Sequence, residues 1–375
     1  MREYSELLYE FQNIAENPKE QYRSFLAAGK KVVGYMPYFC PEELIYASGM
    51  TPFGLWSADV ELSESGHYLP AAICSTPHTA LELAIRGEYK GMTAVMIPEI
   101  CDNLKCMGTI WRRAVPGIPV ISFEPAQNRK TETGIEFSAS QYRGVVDELA
   151  RHGGTPASDE DISDAVELIN KRRTALRVFL LLASEHPEVI TPRRRSDVIK
   201  SSFYMEAGPF IALITELSGA IKGLPDTKWV GRRVVTTGIH ADDPELLDIF
   251  EKNNIMIAGD QVLYESLSFR DNVVVMEDPV IGLAHRFTSI GGTSVLNDPG
   301  KQRANDLLKL VEKTSADGVF FILSKSCDPE EYDYVPVKHI LEENDVRCLL
   351  IEIDSGTAAA EQARSAVEAF AGLVQ

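Results

Sequence analysis

Short apolar runs alternate along the chain with amphipathic stretches, at a spacing that predicts strands and helices in turn. Lys31-Val-Val-Gly-Tyr35 reads as a short buried strand. Pro41 to Ala47 reads as a helix opening on Pro-Glu-Glu-Leu, proline being well suited to a first turn. The same unit recurs at 233–252, where Arg233-Val-Val-Thr-Thr-Gly238 precedes Asp243-Pro-Glu-Leu-Leu247 and a helical run to Lys252.

A second correspondence is sharper. Ala94-Val-Met-Ile-Pro-Glu-Ile-Cys101-Asp102 leads into a helical stretch to Arg113 and the strand-like Pro119-Val-Ile-Ser-Phe-Glu124. Gly318-Val-Phe-Phe-Ile-Leu-Ser-Lys-Ser-Cys327-Asp328 leads into a helix placed at Val335 to Glu343 and the strand Arg347 to Ile353. Each half thus runs strand, Cys-Asp, helix, strand. Such alternation calls for parallel sheets with right-handed crossovers. The fold class expected is α/β, with two Rossmann-like parallel-sheet halves related by a pseudo-repeat and a helical insert between them.

The insert is read from residues 158 to 222. There Ser158 to Asp161 resembles a capping box, and apolar residues recur at Ile162, Val166, Ile169, Leu176, Phe179 and Leu180. Gly153-Gly-Thr-Pro156 and Gly223-Leu-Pro-Asp226 carry the turn residues expected at its edges. The division is then an N-terminal α/β domain over 1–155, a helical insert over 156–225 and a C-terminal α/β domain over 226–375.

Composition narrows the partners. With 37 Lys and Arg against 55 Asp and Glu the formal charge is -18, a surface that repels phosphate backbones, so nucleic acid is not an expected partner. No apolar run reaches the roughly 18 residues needed to span a bilayer. The start Met1-Arg-Glu-Tyr-Ser-Glu6 is too acidic and polar for a signal peptide, so no membrane is expected and a cytoplasmic location is. The chain has neither Gly-x-x-x-x-Gly-Lys-Ser/Thr nor a strand followed by Gly-x-Gly-x-x-Gly, hence no signature for ATP or a dinucleotide.

In a reducing compartment, the six cysteines read as buried thiols, metal ligands or redox groups rather than a disulfide framework. Cys101 and Cys327 follow corresponding strands, at the carboxyl ends where working groups gather in open parallel sheets. Cys74, in Ala71-Ala-Ile-Cys-Ser-Thr-Pro-His78, precedes a helical run over Thr79 to Arg86, and a helix start stabilises a thiolate. Three such thiolates could hold zinc, or an iron-sulfur cluster with one iron left without a cysteine. Cys106 lies five positions after Cys101 on another helical face and ranks as a possible extra ligand; Cys40 and Cys348 read as core or neighbouring residues. His67 and His78 flank Cys74, with solvation or local bonding as their expected role. Lys171 to Arg173 and Arg193 to Arg195 are read as solvated helical faces, with a coenzyme phosphate or acidic partner as the alternative.

The run Gly34-Tyr-Met-Pro-Tyr-Phe-Cys-Pro-Glu-Glu-Leu44, then Cys74, Ile100-Cys-Asp-Asn103 and Ser324-Lys-Ser-Cys327, resembles the 2-hydroxyacyl-CoA dehydratase family, whose relatives include benzoyl-CoA reductase subunits. The likeness is greatest to its smaller, beta subunits of the 2-hydroxyisocaproyl type. It implies a 4Fe-4S cluster held by Cys74, Cys101 and Cys327 in an oxygen-sensitive heterodimer with a homologous alpha subunit. It also implies that an (R)-2-hydroxyacyl-CoA loses water through a ketyl radical to give an (E)-2-enoyl-CoA, as 2-hydroxyisocaproyl-CoA gives 2-isocaprenoyl-CoA. The electron comes in that family from a separate ATP-dependent iron-sulfur activator. The alpha subunits carry a serine near the substrate in the loop after the first strand, whereas this loop reads Met36-Pro-Tyr-Phe-Cys-Pro41. The resemblance therefore implies electron relay, with no catalytic residue of this chain on the substrate and acyl-CoA mainly in the alpha subunit. The fourth cluster position falls to a small exogenous ligand or to Cys106. The alternative is an iron-sulfur electron-transfer subunit of a benzoyl-CoA reductase-like enzyme.

Overall fold

A computed structural model describes residues 2–36, 39–55, 60–225, 228–353 and 357–373. Pro37 and Tyr38 of the loop after the first strand, and Asp226 at the far edge of the insert, lie outside the described residues. The chain opens with α1 (Tyr4–Glu16) and α2 (Pro18–Ala27). The first half follows as β1 (Val32–Tyr35), α3 (Glu42–Ala47), β2 (Thr51–Gly54), α4 (Ser75–Ile85), β3 (Ala94–Pro98), α5 (Asp102–Ala114), β4 (Val120–Phe123) and α6 (Glu132–Arg151). Three long helices come next, α7 (Asp159–Glu185), α8 (Pro192–Tyr204) and α9 (Ala207–Ile221). The second half is β5 (Arg232–Gly238), α10 (Pro244–Lys252), β6 (Ile255–Val262), α11 (Ser266–Phe269), α12 (Pro279–Ser289), α13 (Gln302–Thr314), β7 (Gly318–Ser324), α14 (Asp328–Glu343), β8 (Cys348–Ile353) and α15 (Thr357–Leu373).

Two four-stranded sheets result, ordered β2-β1-β3-β4 and β6-β5-β7-β8, with every pairing parallel. The two orders are the same permutation, so the pseudo-repeat extends from sequence to topology and the α/β expectation holds. The central strands β1, β3 and β7 are buried along their whole length, as strands covered on both faces must be. In β7 the alternation is visible: Phe320 and Ile322 join α10 and α15, while Val319, Phe321 and Leu323 join α13 and α14. Helices α7 to α9 share one hydrophobic cluster with the first sheet and with side chains from the 263–296 stretch. The capping box at Ser158 and Asp161 is formed. Among the described residues no helix is long and apolar enough to cross a membrane.

Two helix starts differ from expectation. Helix α4 begins at Ser75, not Thr79, because Pro77 falls in the first turn, where its missing N–H is not needed. Helix α14 begins at Asp328 and not near Val335. Pro329 again sits in the first turn, and the helix continues through Pro336. Both shifts move a helix start onto a cysteine.

Candidate functional site

Cys74, Cys101 and Cys327 are the N-cap residues of α4, α5 and α14. All three line one pocket, closed by Ile100, Leu104, Ile239, Leu263 and Val295 from both halves. In each sheet the order reverses around its first strand, and the pocket lies outside the carboxyl ends of β3 and β7 beside that point, where open α/β sheets bind ligands. Three helix N-termini, each with main-chain N–H groups unused by its own helix, open on the same space. None of the three cysteines makes a side-chain capping bond.

The neighbouring Cys327 thiol, as a hydrogen-bond partner, holds the Cys74 thiol below its ordinary range, overcoming burial, and the Asn103 amide adds a donor 3.8 Å from Cys74 Sγ. The same contact and burial push Cys327 up. Cys101 is raised to about 11 by burial. Among the described residues, no three His, Cys, Asp or Glu side chains are gathered around one ion-sized point. The donor set is three soft thiols at the wall of an apolar-lined pocket with no histidine or carboxylate among the lining residues. That chemistry fits an iron-sulfur cluster better than a single hard ion.

The remaining sequence candidates separate cleanly. Cys106 is exposed on α5 and does not line the pocket. Cys40 is half-buried, its Sγ 3.7 Å from the Met96 carbonyl, and Cys348 is half-buried in β8. His67 is exposed, while His78 is buried and locally bonded. Its Nε2 donates to the Pro70 carbonyl, leaving Nδ1 to accept from the Ser65 hydroxyl. The two basic clusters are solvated only in part: Lys171 and Arg194 are exposed, but the other arginines turn inward. Arg172 and Arg173 are buried and paired with Glu42 and Glu43 of α3, and Arg195 is buried between Asp260 and Glu265. A helical face that looks polar in sequence is here the contact between two helices, and the complementary carboxylates lie about 130 positions away for the first pair.

Sequence reasoning missed the residues that hold the cysteine-bearing helices in place. His240, just after β5, is buried; its Nε2 lies 2.8 Å from Thr76 Oγ1 in the first turn of α4 and joins the two halves beside the pocket. The ring stacks on Tyr264 at 3.8 Å. Gly238 lets the chain reach this position: its φ is 152°, and a Cβ there would stand 2.1 Å from the Ile322 carbonyl. Arg303, 1% exposed, donates to Glu330 and Asp333 of α14 and to the Thr237 hydroxyl at the end of β5, which locks the turn that follows Cys327. Gln127 and Arg129, after β4, bond to the carbonyls of Ile100, Val295, Asn297 and Ile290, tying the 290–297 loop to the residue before Cys101. The available signal was position: His240 follows a strand at the carboxyl edge, as the cysteines do.

Comparison with known proteins agrees in extent as well as in kind. Residues 37–372 match the family described as 2-hydroxyglutaryl-CoA dehydratase, D-component. The chain is 40% identical over 362 residues to the (R)-phenyllactyl-CoA dehydratase beta subunit of Clostridium sporogenes, covering 96% of each chain. It is 34% identical to the lactoyl-CoA dehydratase subunit beta of Anaerotignum propionicum, covering 97% of each. It is 31% identical to the (R)-2-hydroxyglutaryl-CoA dehydratase subunit beta of Acidaminococcus fermentans, covering 98% of each. With matches of this span to a duplicated α/β chain whose cysteines meet at corresponding strand ends, the protein belongs to the 2-hydroxyacyl-CoA dehydratase family, among its D-component or beta-subunit members.

Proposed function

We propose that this chain is the beta subunit of an oxygen-sensitive, cytoplasmic (R)-2-hydroxyacyl-CoA dehydratase, and that Cys74, Cys101 and Cys327 hold a 4Fe-4S cluster. The observation that carries this reading is the placement of those three thiols, from both halves, on one apolar-lined pocket. When bound, such a cluster supplies one-electron chemistry, here a relay from an ATP-dependent iron-sulfur activator to a homologous alpha subunit in which the acyl-CoA mainly sits. The chain's own residues provide the setting. Ile100, Leu104, Ile239, Leu263 and Val295 limit water around the sulfurs. Asn103 donates toward Cys74, and the three helix N-termini favour negative charge at the thiolates. A branched-chain or aromatic acyl group, such as 2-hydroxyisocaproyl, is the substrate class proposed; the 40% identical relative is named for an aromatic one.

The test is anaerobic purification with and without a co-expressed alpha subunit, followed by iron and sulfide analysis and assay with activator, ATP and 2-hydroxyisocaproyl-CoA. Iron and sulfide in comparable amounts, with turnover only when both subunits are present, is the expected result. A chain holding only zinc would overturn the cluster, and turnover by this chain alone would overturn the relay.

A further inference from the structure

A second cavity, of about 30 Å³, lies at the carboxyl end of β1 behind the thiol pocket, with Leu263 common to both walls. Its charged lining comes from Glu42, Arg172, Arg173 and Arg286. Arg172 pairs with Glu42, and Arg173 with Glu43. The Arg286 guanidinium instead donates to the main-chain carbonyls of Ser268 and Asp271. The Asp271 carboxylate is turned to Arg270. Among the described residues, three guanidinium groups therefore share two carboxylates, which leaves the part-buried Arg286 without a counter-charge of its own. Burial and the neighbouring Arg173 pull Arg286 down to about 10, as that imbalance requires. A second sign is independent of charge: Arg172 Nε is buried with no hydrogen-bond partner among the described residues.

A water molecule would satisfy the orphaned N–H and leave the charge uncompensated, whereas an anion answers both. The space suits a group of one to about three heavy atoms. We propose that this cavity is a binding site for a small monoanion, a halide or a formate-sized carboxylate, held between Arg286 and Arg172. The inference does not depend on the dehydratase reading, since it needs neither a cluster nor a partner.

The full chain is crystallised with sodium bromide, and its thermal unfolding is followed in bromide or formate against gluconate, which is too large for the cavity, at equal ionic strength. The expected results are anomalous bromide density beside Arg286 and a saturable rise of about 2 °C or more in Tm that gluconate does not give. Arg286→Gln should lose the rise. Absence of bromide from the cavity, or equal shifts in gluconate, overturns the proposal. If Arg286→Gln does not fold, the bromide density in the unaltered chain decides alone.

Discussion

Cys101 and Cys327 occupy the same place in the two halves, each the N-cap of the helix that follows the third strand of its sheet. Cys74 caps a third helix opening on the same pocket. Thiols are not among the preferred N-caps, and although first-turn N–H groups reach toward each sulfur, none of the three forms a full side-chain capping bond. Helix stability therefore does not explain three cysteines at three caps. A role for the sulfurs does, at a site where local preference is set aside.

A separation of stability from metal content follows. Cys101→Ser places a hydroxyl where the backbone is already extended, with φ of -134° and ψ of 166°, so the serine can cap α5. The iron-free variant should be unchanged or stabilised by up to about 1 kcal/mol in urea unfolding. Iron bound after anaerobic reconstitution should fall sharply. Iron retained in full would remove Cys101 from the ligand set.

Much of this was legible in the sequence. Apolar runs marked β1, β3, β4, β5, β7 and β8, and the repeated Cys-Asp after two of them exposed the duplication. Two of the four edge strands were harder to see. β2 is Thr51-Pro-Phe-Gly54, and β6 is interrupted by Gly259-Asp260, with a register shift opposite Val234. Proline and glycine are tolerated at an edge and weaken the pattern that identifies a strand. Pairing across distance was hidden altogether: nothing local in Lys171-Arg-Arg173 marks Glu42 and Glu43 as partners, so a buried double ion pair looked like a solvated face.

That double pair makes a second prediction. Arg173 and Glu43 are buried between α7 and α3. Removing the carboxylate, as in Glu43→Gln, leaves Arg173 uncompensated in the core and should cost about 3 to 5 kcal/mol, whereas Arg173→Met leaves Glu43 with Arg286 still acting on it and should cost less. The double variant Arg173→Met with Glu43→Met should recover a large part of that loss. Additive losses in a denaturant double-mutant cycle would show that the two side chains do not act as a pair.

The buried groups beside the pocket predict opposed pH slopes. Burial lowers His240 to about 4 despite Asp242, below the ordinary 6.5. Between those values the unfolded chain holds the extra proton, so this group makes stability rise with pH, by up to about 3 kcal/mol across the window. Burial raises Glu265 to about 7 even though Arg195 opposes the shift, because Arg195 is shared with Asp260. Here the folded chain holds the proton, and stability present below about 4.5 is lost as pH rises through 7. Urea unfolding at several pH values should therefore show Glu265→Gln gaining stability with pH more steeply than the parent, and His240→Gln less steeply. Parallel curves for all three proteins would contradict both assignments.

Cys106 decides the fourth ligand position on the proposed cluster. Five residues on an α-helix turn the chain by about 500°, so Cys106 points some 140° away from the direction of Cys101. The side chain is accordingly exposed, and it is absent from the pocket wall. Bringing its sulfur to the pocket would require unwinding the first turn of α5, whose other face buries Leu104 and Met107. Cys106→Ser should therefore keep the parent's iron content and its electron paramagnetic resonance spectrum, whereas the same change at Cys74 or Cys327 should lower bound iron. Loss of iron in Cys106→Ser, with the fold intact by circular dichroism, would mean that α5 opens to deliver a fourth thiolate. The exogenous ligand favoured by the geometry would then be excluded.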